Sequence, residues 1–107
     1  MLTSYDWVSY LKTKSCISSD YGAAKLINID RTTLSTIKSG KSHLGLKSAF
    51  NIAKELGIAP EYVYLCAQFE RAACEEERKM WLDVFERIGG VELVEKIRKK
   101  LDTSVLR

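Results

Sequence analysis

Apolar positions recur at three- and four-residue spacing along nearly the whole chain, the mark of helices that bury one face. No stretch alternates strictly or clusters β-branched residues as a strand would, so the pattern predicts an all-α fold. A first helix starts after Thr3 or Ser4, either a suitable N-cap, and turns Trp7, Val8 and Leu11 to one side before Lys12 and Lys14 mark its end. After a connection over 15–18, a second helix begins at Ser19 or Asp20 and carries Ala23, Ala24 and Ile27 inward. Asn28 follows, a residue that tolerates the left-handed backbone of a tight turn. Asp30 can then cap a third helix over 31–39, with Leu34 and Ile37 buried and Gly40 stopping it.

A polar loop over 41–45 leads to a fourth helix, where Leu46, Ala49, Phe50, Ala53 and Leu56 follow the spacing of one face and Gly57 ends the run. Pro60 suits the first position of a fifth helix, because its missing N–H would have no partner there anyway. Tyr62, Cys66, Phe69 and Ala73 continue an inward stripe. Residues 72–77 read equally as continuous helix or a short break. A sixth face runs through Trp81, Phe85 and Ile88, the Gly89-Gly90 pair breaks the chain, and a last helix over about 91–101 aligns Val94, Ile97 and Leu101.

Composition limits what this string of helices can be. With 107 residues, 46% apolar and 29% charged, the chain has material for one small core and too many apolar residues for wholesale disorder. No apolar run approaches the roughly 18 residues that span a bilayer, and the start, with Asp6 and Trp7, lacks the basic entry to a secretory signal. The expectation is a soluble, cytoplasmic protein with no membrane partner. Cys16, Cys66 and Cys74 are odd in number and lack CxxC spacing, which points to small buried apolar residues and to neither a disulfide framework nor a zinc site. The net charge of +3 divides unevenly: residues 1–59 carry eight Lys or Arg against four Asp or Glu (+4), and residues 60–107 nine against ten (−1). The basic surplus is upstream.

Two short helices joined by a tight turn, the second polar and hydroxyl-rich outside and apolar inside, are the parts of a helix-turn-helix DNA reader. Over 20–39 the apolar residues stand at Ala23, Ala24, Ile27, Ile29, Leu34 and Ile37, with Asn28 between the two faces. Ala24 is small enough to let the helices approach. Together with Ala23-Ala24-Lys25-Leu26-Ile27, Thr33-Leu34-Ser35-Thr36-Ile37, Ser39-Gly40-Lys41, the run Ile52 to Ile58 and Pro60-Glu61-Tyr62-Val63, this order resembles the lambda-repressor and Cro-like (XRE-type) helix-turn-helix family over roughly residues 5–70. The later Glu-Arg-Ala, acidic segment and Trp81 are similar to short phage-related regulators. The resemblance implies a bundle of about five helices, here residues 1–73, that presents its third helix to the major groove of double-stranded DNA. Asn28 stands where the family usually has glycine. Asp20 stands where many members carry a phosphate-contacting glutamine, so a capping role is expected of it.

Read by face, the third helix leaves Arg31, Thr32, Thr33, Ser35 and Thr36 to meet base edges. Arg31 leads, because its planar fork matches guanine O6 and N7. Lys38, Lys41, Ser42, His43 and Lys47 are placed for phosphates, which position a reader without specifying sequence. His43 has no metal-ligand companions at suitable spacing, and no cofactor is implied. Enzyme chemistry finds no foothold either: there is no phosphate-binding glycine loop and no nucleophile elbow, and a lone histidine cannot complete a triad.

Helix-turn-helix readers usually work as two-fold dimers. Residues 74–107 form a C-terminal helical extension whose Trp81, Phe85, Ile88, Val94, Ile97 and Leu101 exceed what the reader needs, and the expectation is that they pair two chains, the alternative being that these helices fold back onto the first five. The functional expectation is therefore a homodimeric, sequence-specific transcriptional regulator, most simply a phage-type repressor on an inverted repeat. The alternative is an antitoxin-like or protein-interaction module acting through its C-terminal helices on a protein partner.

Overall fold

A computed structural model describes residues 1–105, and among these the backbone forms seven helices and no strand. In order they are α1 (Ser4–Lys14), α2 (Asp20–Leu26), α3 (Arg31–Lys38), α4 (Leu46–Leu56), α5 (Pro60–Arg71), α6 (Glu75–Arg87) and α7 (Gly90–Val105). Local chemistry sets their starts. Thr3 closes a capping box on α1: its hydroxyl accepts from the Asp6 N–H at 3.1 Å, while Asp6 Oδ2 accepts from the Thr3 N–H at 2.9 Å. Ser19, not Asp20, caps α2 by accepting from the Gly22 N–H at 3.0 Å. Pro60 opens α5, as its missing N–H implied.

The ends of the first four helices share one device. After α2, the Ile29 N–H donates back to the Ala24 carbonyl and the Asn28 N–H to that of Lys25, with Asn28 at φ 60°. This is the left-handed helix stop that usually takes glycine. Cys16, at φ 56°, does the same after α1, and Gly40 and Gly57 do it after α3 and α4. Cys16 is therefore an exposed turn residue, not the buried apolar one its residue type suggested. Cys74 is also exposed, as the N-cap of α6, because α5 ends at Arg71 and the helical run is interrupted before α6 begins. Cys66 alone is buried, and burial pushes its thiol pKa up. All three are free thiols.

The core is a single cluster running from Leu2, Trp7 and Leu11 through Ala24, Leu34, Leu44 and Ile52 to Phe85 and Ile97. On α4 the buried face is Ala49, Ile52, Ala53 and Leu56, so Leu46 and Phe50, expected inside, are about half exposed. On α5 the buried stripe is Val63, Leu65, Cys66 and Ala67, which leaves Ala73 outside.

The C-terminal helices are not a detached extension. α6 lies along α5, and α7 crosses back onto α1. The radius of gyration is 13.2 Å, close to the roughly 13 Å of a single domain of this length. Phe85 is fully buried, Ile97 1% and Val94 6% exposed, all inside the one core. These three were expected to pair two chains; they lack free surface to do so, because the chain uses their apolar area itself. Leu101 and Trp81 are partly buried against the same core, and Ile88 is exposed. The Phe85 ring meets Tyr62 edge-on at 6.3 Å, and the Tyr62 hydroxyl donates to the Ile88 carbonyl at 3.0 Å. Gly90 completes the fit: a Cβ there would fall 2.4 to 2.6 Å from three atoms of the Phe85 ring. Residues 106 and 107, the last of the expected extension, lie outside the described residues.

Candidate nucleic-acid interface

α3 stands on Leu34 and Ile37, both buried, and turns its other sides to solvent. Arg31, Thr32 and Ser35 are exposed and line one shallow groove together. Thr33 and Thr36 are half-buried, and their hydroxyls already have partners. That of Thr36 donates to the Thr33 carbonyl at 2.7 Å, and that of Thr33 to Asp30 Oδ2 at 3.4 Å. Asp30 thus receives a hydroxyl where a backbone N–H was expected, and it makes no side-chain cap. Of the five residues expected to face bases, Arg31, Thr32 and Ser35 hold their polar groups outward.

The frame that aims this helix is polar as well as apolar. Asn51 on α4 donates its amide to the Ile27 carbonyl at 3.0 Å, fastening the end of α2 just before the turn. Asp20, in the first turn of α2, accepts from Lys12 Nζ at 2.8 Å and from the Tyr5 hydroxyl at 2.8 Å, and lies 3.6 Å from Lys38 Nζ. The Lys12 hydrogen bond is the main reason its carboxyl is held below the usual range; burial works against it, and Tyr5 and Lys38 add to it. For Lys12, burial pulls downward, but the hydrogen bonds to Asp20 and Tyr5 outweigh it and the pKa is raised. Asp20 therefore ties α1 to α2 and α3, and its negative charge is matched by two lysines.

The phosphate candidates divide by position. Lys41 lies just past the Gly40 stop of α3 and Lys47 sits in the first turn of α4, both exposed. Lys38 is exposed but shares Asp20. Ser42 is half-buried, its N–H held by the Thr36 carbonyl at 3.2 Å. His43 has a partner inside the chain: Nδ1 is shielded from solvent, 2.9 Å from Glu70 Oε1, and off the line of a proper hydrogen bond. Glu70 Oε1 also accepts from the buried Ser4 hydroxyl at 2.7 Å, while Ser4 Oγ accepts from the Leu44 N–H at 3.0 Å. This network clamps the loop between α3 and α4 to the start of α1 and the end of α5.

One element of the site carries no helix-turn-helix signal in the sequence. Tyr21 on α2, half exposed, has the Arg31 guanidinium 5.3 Å and the Lys25 ammonium 5.2 Å from its ring centroid. Tyr21 and Arg31, with Ser19, Asp20, Leu34, Ser35 and Lys38, border a cleft of about 400 Å³ between α2 and α3.

No family model, curated protein or solved structure matches the chain. Among the described residues no group of His, Cys, Asp and Glu is arranged to hold a metal ion, and no helix is long and apolar enough to cross a membrane.

Proposed function

We propose that the chain is a sequence-specific double-stranded DNA-binding regulator of the lambda-repressor-like kind, cytoplasmic, acting as a repressor on an inverted repeat. The observation that carries this is the exposed Arg31, Thr32 and Ser35 surface of α3, raised on Leu34 and Ile37 and joined to α2 by the tight Asn28 turn. An α-helix fits the major groove, where a guanidinium and hydroxyls can distinguish base pairs. Lys41 and Lys47 flank that face as phosphate contacts. Two copies on one site remain part of the proposal, because one short helix makes few base contacts. With Phe85, Val94 and Ile97 absorbed into the core, pairing falls to what α6 and α7 leave in solvent, chiefly Met80, Ile88 and Val91. The same exposed residues favour the second reading, a module whose partner is another protein.

Selection of bound duplexes from a random pool at about 150 mM salt, where nonspecific phosphate binding is weakened, tests the proposal. A two-fold symmetric consensus is the expected result. A pool that stays random overturns it in favour of the interaction module.

A further inference from the structure

The geometry points to Tyr21 as the positioning residue for Arg31, an aromatic platform that presents the guanidinium to a guanine; this rests on the DNA-binding reading above. An arginine at the start of α3 would ordinarily fold onto the nearest acid. Both nearby acids are engaged, Asp20 by Lys12, Tyr5 and Lys38, and Asp30 by the Thr33 hydroxyl. Among the described residues no ion pair involves Arg31 or Lys25; both lie over the Tyr21 ring, at 5.3 and 5.2 Å. A cation over a ring is held by the π electrons, a contact that uses none of the guanidinium's N–H donors. Two like charges gathered on one ring with no acid between them make a surface that a polyanion would relieve. The Tyr21 side chain is half exposed at the mouth of the α2–α3 cleft, so burial in the core does not explain its place.

The platform acts on specificity more than on overall affinity. Holding a long flexible side chain in its bound rotamer reduces the ordering cost of binding, and that gain appears only where the arginine finds its base. An exposed cation–ring contact corresponds to about a two- to fivefold change in an equilibrium constant.

The test measures binding of the wild type, Tyr21→Leu, Tyr21→Phe, Arg31→Ala and the Tyr21→Leu/Arg31→Ala double variant. Each is titrated against the selected duplex, its single base-pair variants and a random duplex. Tyr21→Leu is expected to lower discrimination about two- to fivefold at the base pair that Arg31→Ala relaxes, and to weaken binding to random DNA by less than binding to the selected duplex. Tyr21→Phe keeps the ring and should keep the discrimination, and Tyr21→Leu should change nothing further at that pair once Arg31 is gone. Unchanged discrimination in Tyr21→Leu, an equal loss on every duplex, or a Tyr21→Phe variant as impaired as Tyr21→Leu would each overturn the platform while leaving DNA binding intact. A wild type that enriches no sequence removes the underlying reading and the platform with it. Thermal unfolding of each variant at the wild-type midpoint separates these results from loss of fold.

Discussion

Gly90→Ala is the sharpest test of whether the last two helices belong to the chain's own core. The added Cβ would lie 2.4 Å from Phe85 Cζ and 2.5 and 2.6 Å from the two Cε atoms, where carbon atoms prefer about 3.5 to 4.0 Å. Relief requires a shift of about 1 Å by a fully buried ring that is already packed edge-on against Tyr62, or by the start of α7. Overpacking of this kind costs about 1–3 kcal/mol. Replacing glycine in a helix returns about 0.5–1 kcal/mol, and less at the first position than in the interior. The clash wins, with a net loss of about 1–2 kcal/mol. At about 4–8 °C per kcal/mol for a domain near this size, the midpoint should fall by about 4–15 °C. Thermal unfolding followed by far-UV circular dichroism, at two protein concentrations, reads it out. Because the ring and Gly90 share one chain, the drop should be the same at both concentrations. Phe85→Leu in the Gly90→Ala background should lose less than the sum of the single changes, since the smaller side chain leaves room for the Cβ. A midpoint at or above the wild type, or strict additivity, would mean that α7 does not start against that ring. A loss that shrinks at high concentration would return Phe85 to an interface between chains.

Other substitutions probe the site. Arg31→Ala should narrow the gap between specific and random duplexes, whereas Lys41→Ala should weaken both alike and reduce the salt slope by about one phosphate contact; equal losses on both duplexes for the two variants would undo the division of roles. Asp20 is held below the usual carboxyl range, so its contribution is complete above its unfolded pKa of about 4 and is lost as pH falls through the folded value. Asp20→Asn should accordingly flatten the acid limb of stability below about pH 4, measured as midpoint against pH, and an unchanged limb would count against the Lys12–Asp20 tie. Ser4→Ala strands the Leu44 N–H and removes a donor from Glu70, so about 1–3 kcal/mol of stability should be lost. Faster hydrogen exchange at the Leu44 amide would accompany that loss, and an amide as protected as in the wild type would show that the loop is held by other contacts.

What the sequence made legible, and what it hid, follows from the range of the forces involved. Helix starts and stops are written in a few neighbouring residues, so Thr3, Pro60, Asn28 and Gly57 could be read directly, and Leu34 and Ile37 emerged from spacing alone. Leu46 and Phe50 share a helix face at four-residue spacing, but Ile52 belongs to a competing face of the same helix, and only the packing of α4 against α1 and α5 decides between them. Periodicity also cannot say which molecule covers an apolar stripe. Phe85, Val94 and Ile97 were read as surplus because a five-helix core was taken as complete; the fully buried ring of Phe85 and its close approach to Gly90 make seven helices the unit instead. The polar half of the site depends on partners far apart in sequence: His43 meets Glu70 across 27 positions, and Leu44 meets Ser4 across 40. Even Tyr21 and Arg31, ten residues apart, meet only because the Asn28 turn folds α3 back beside α2. The basic surplus of the first half was visible as a sum, but its disposition was not. Lys12 and Lys38 are drawn to Asp20, Lys38 while still exposed; of the other cations Lys25 and Arg31 meet at Tyr21, and Lys41 and Lys47 lie beyond α3. The outward charge of the first half therefore depends on where its four acids are neutralised as much as on how many bases it carries.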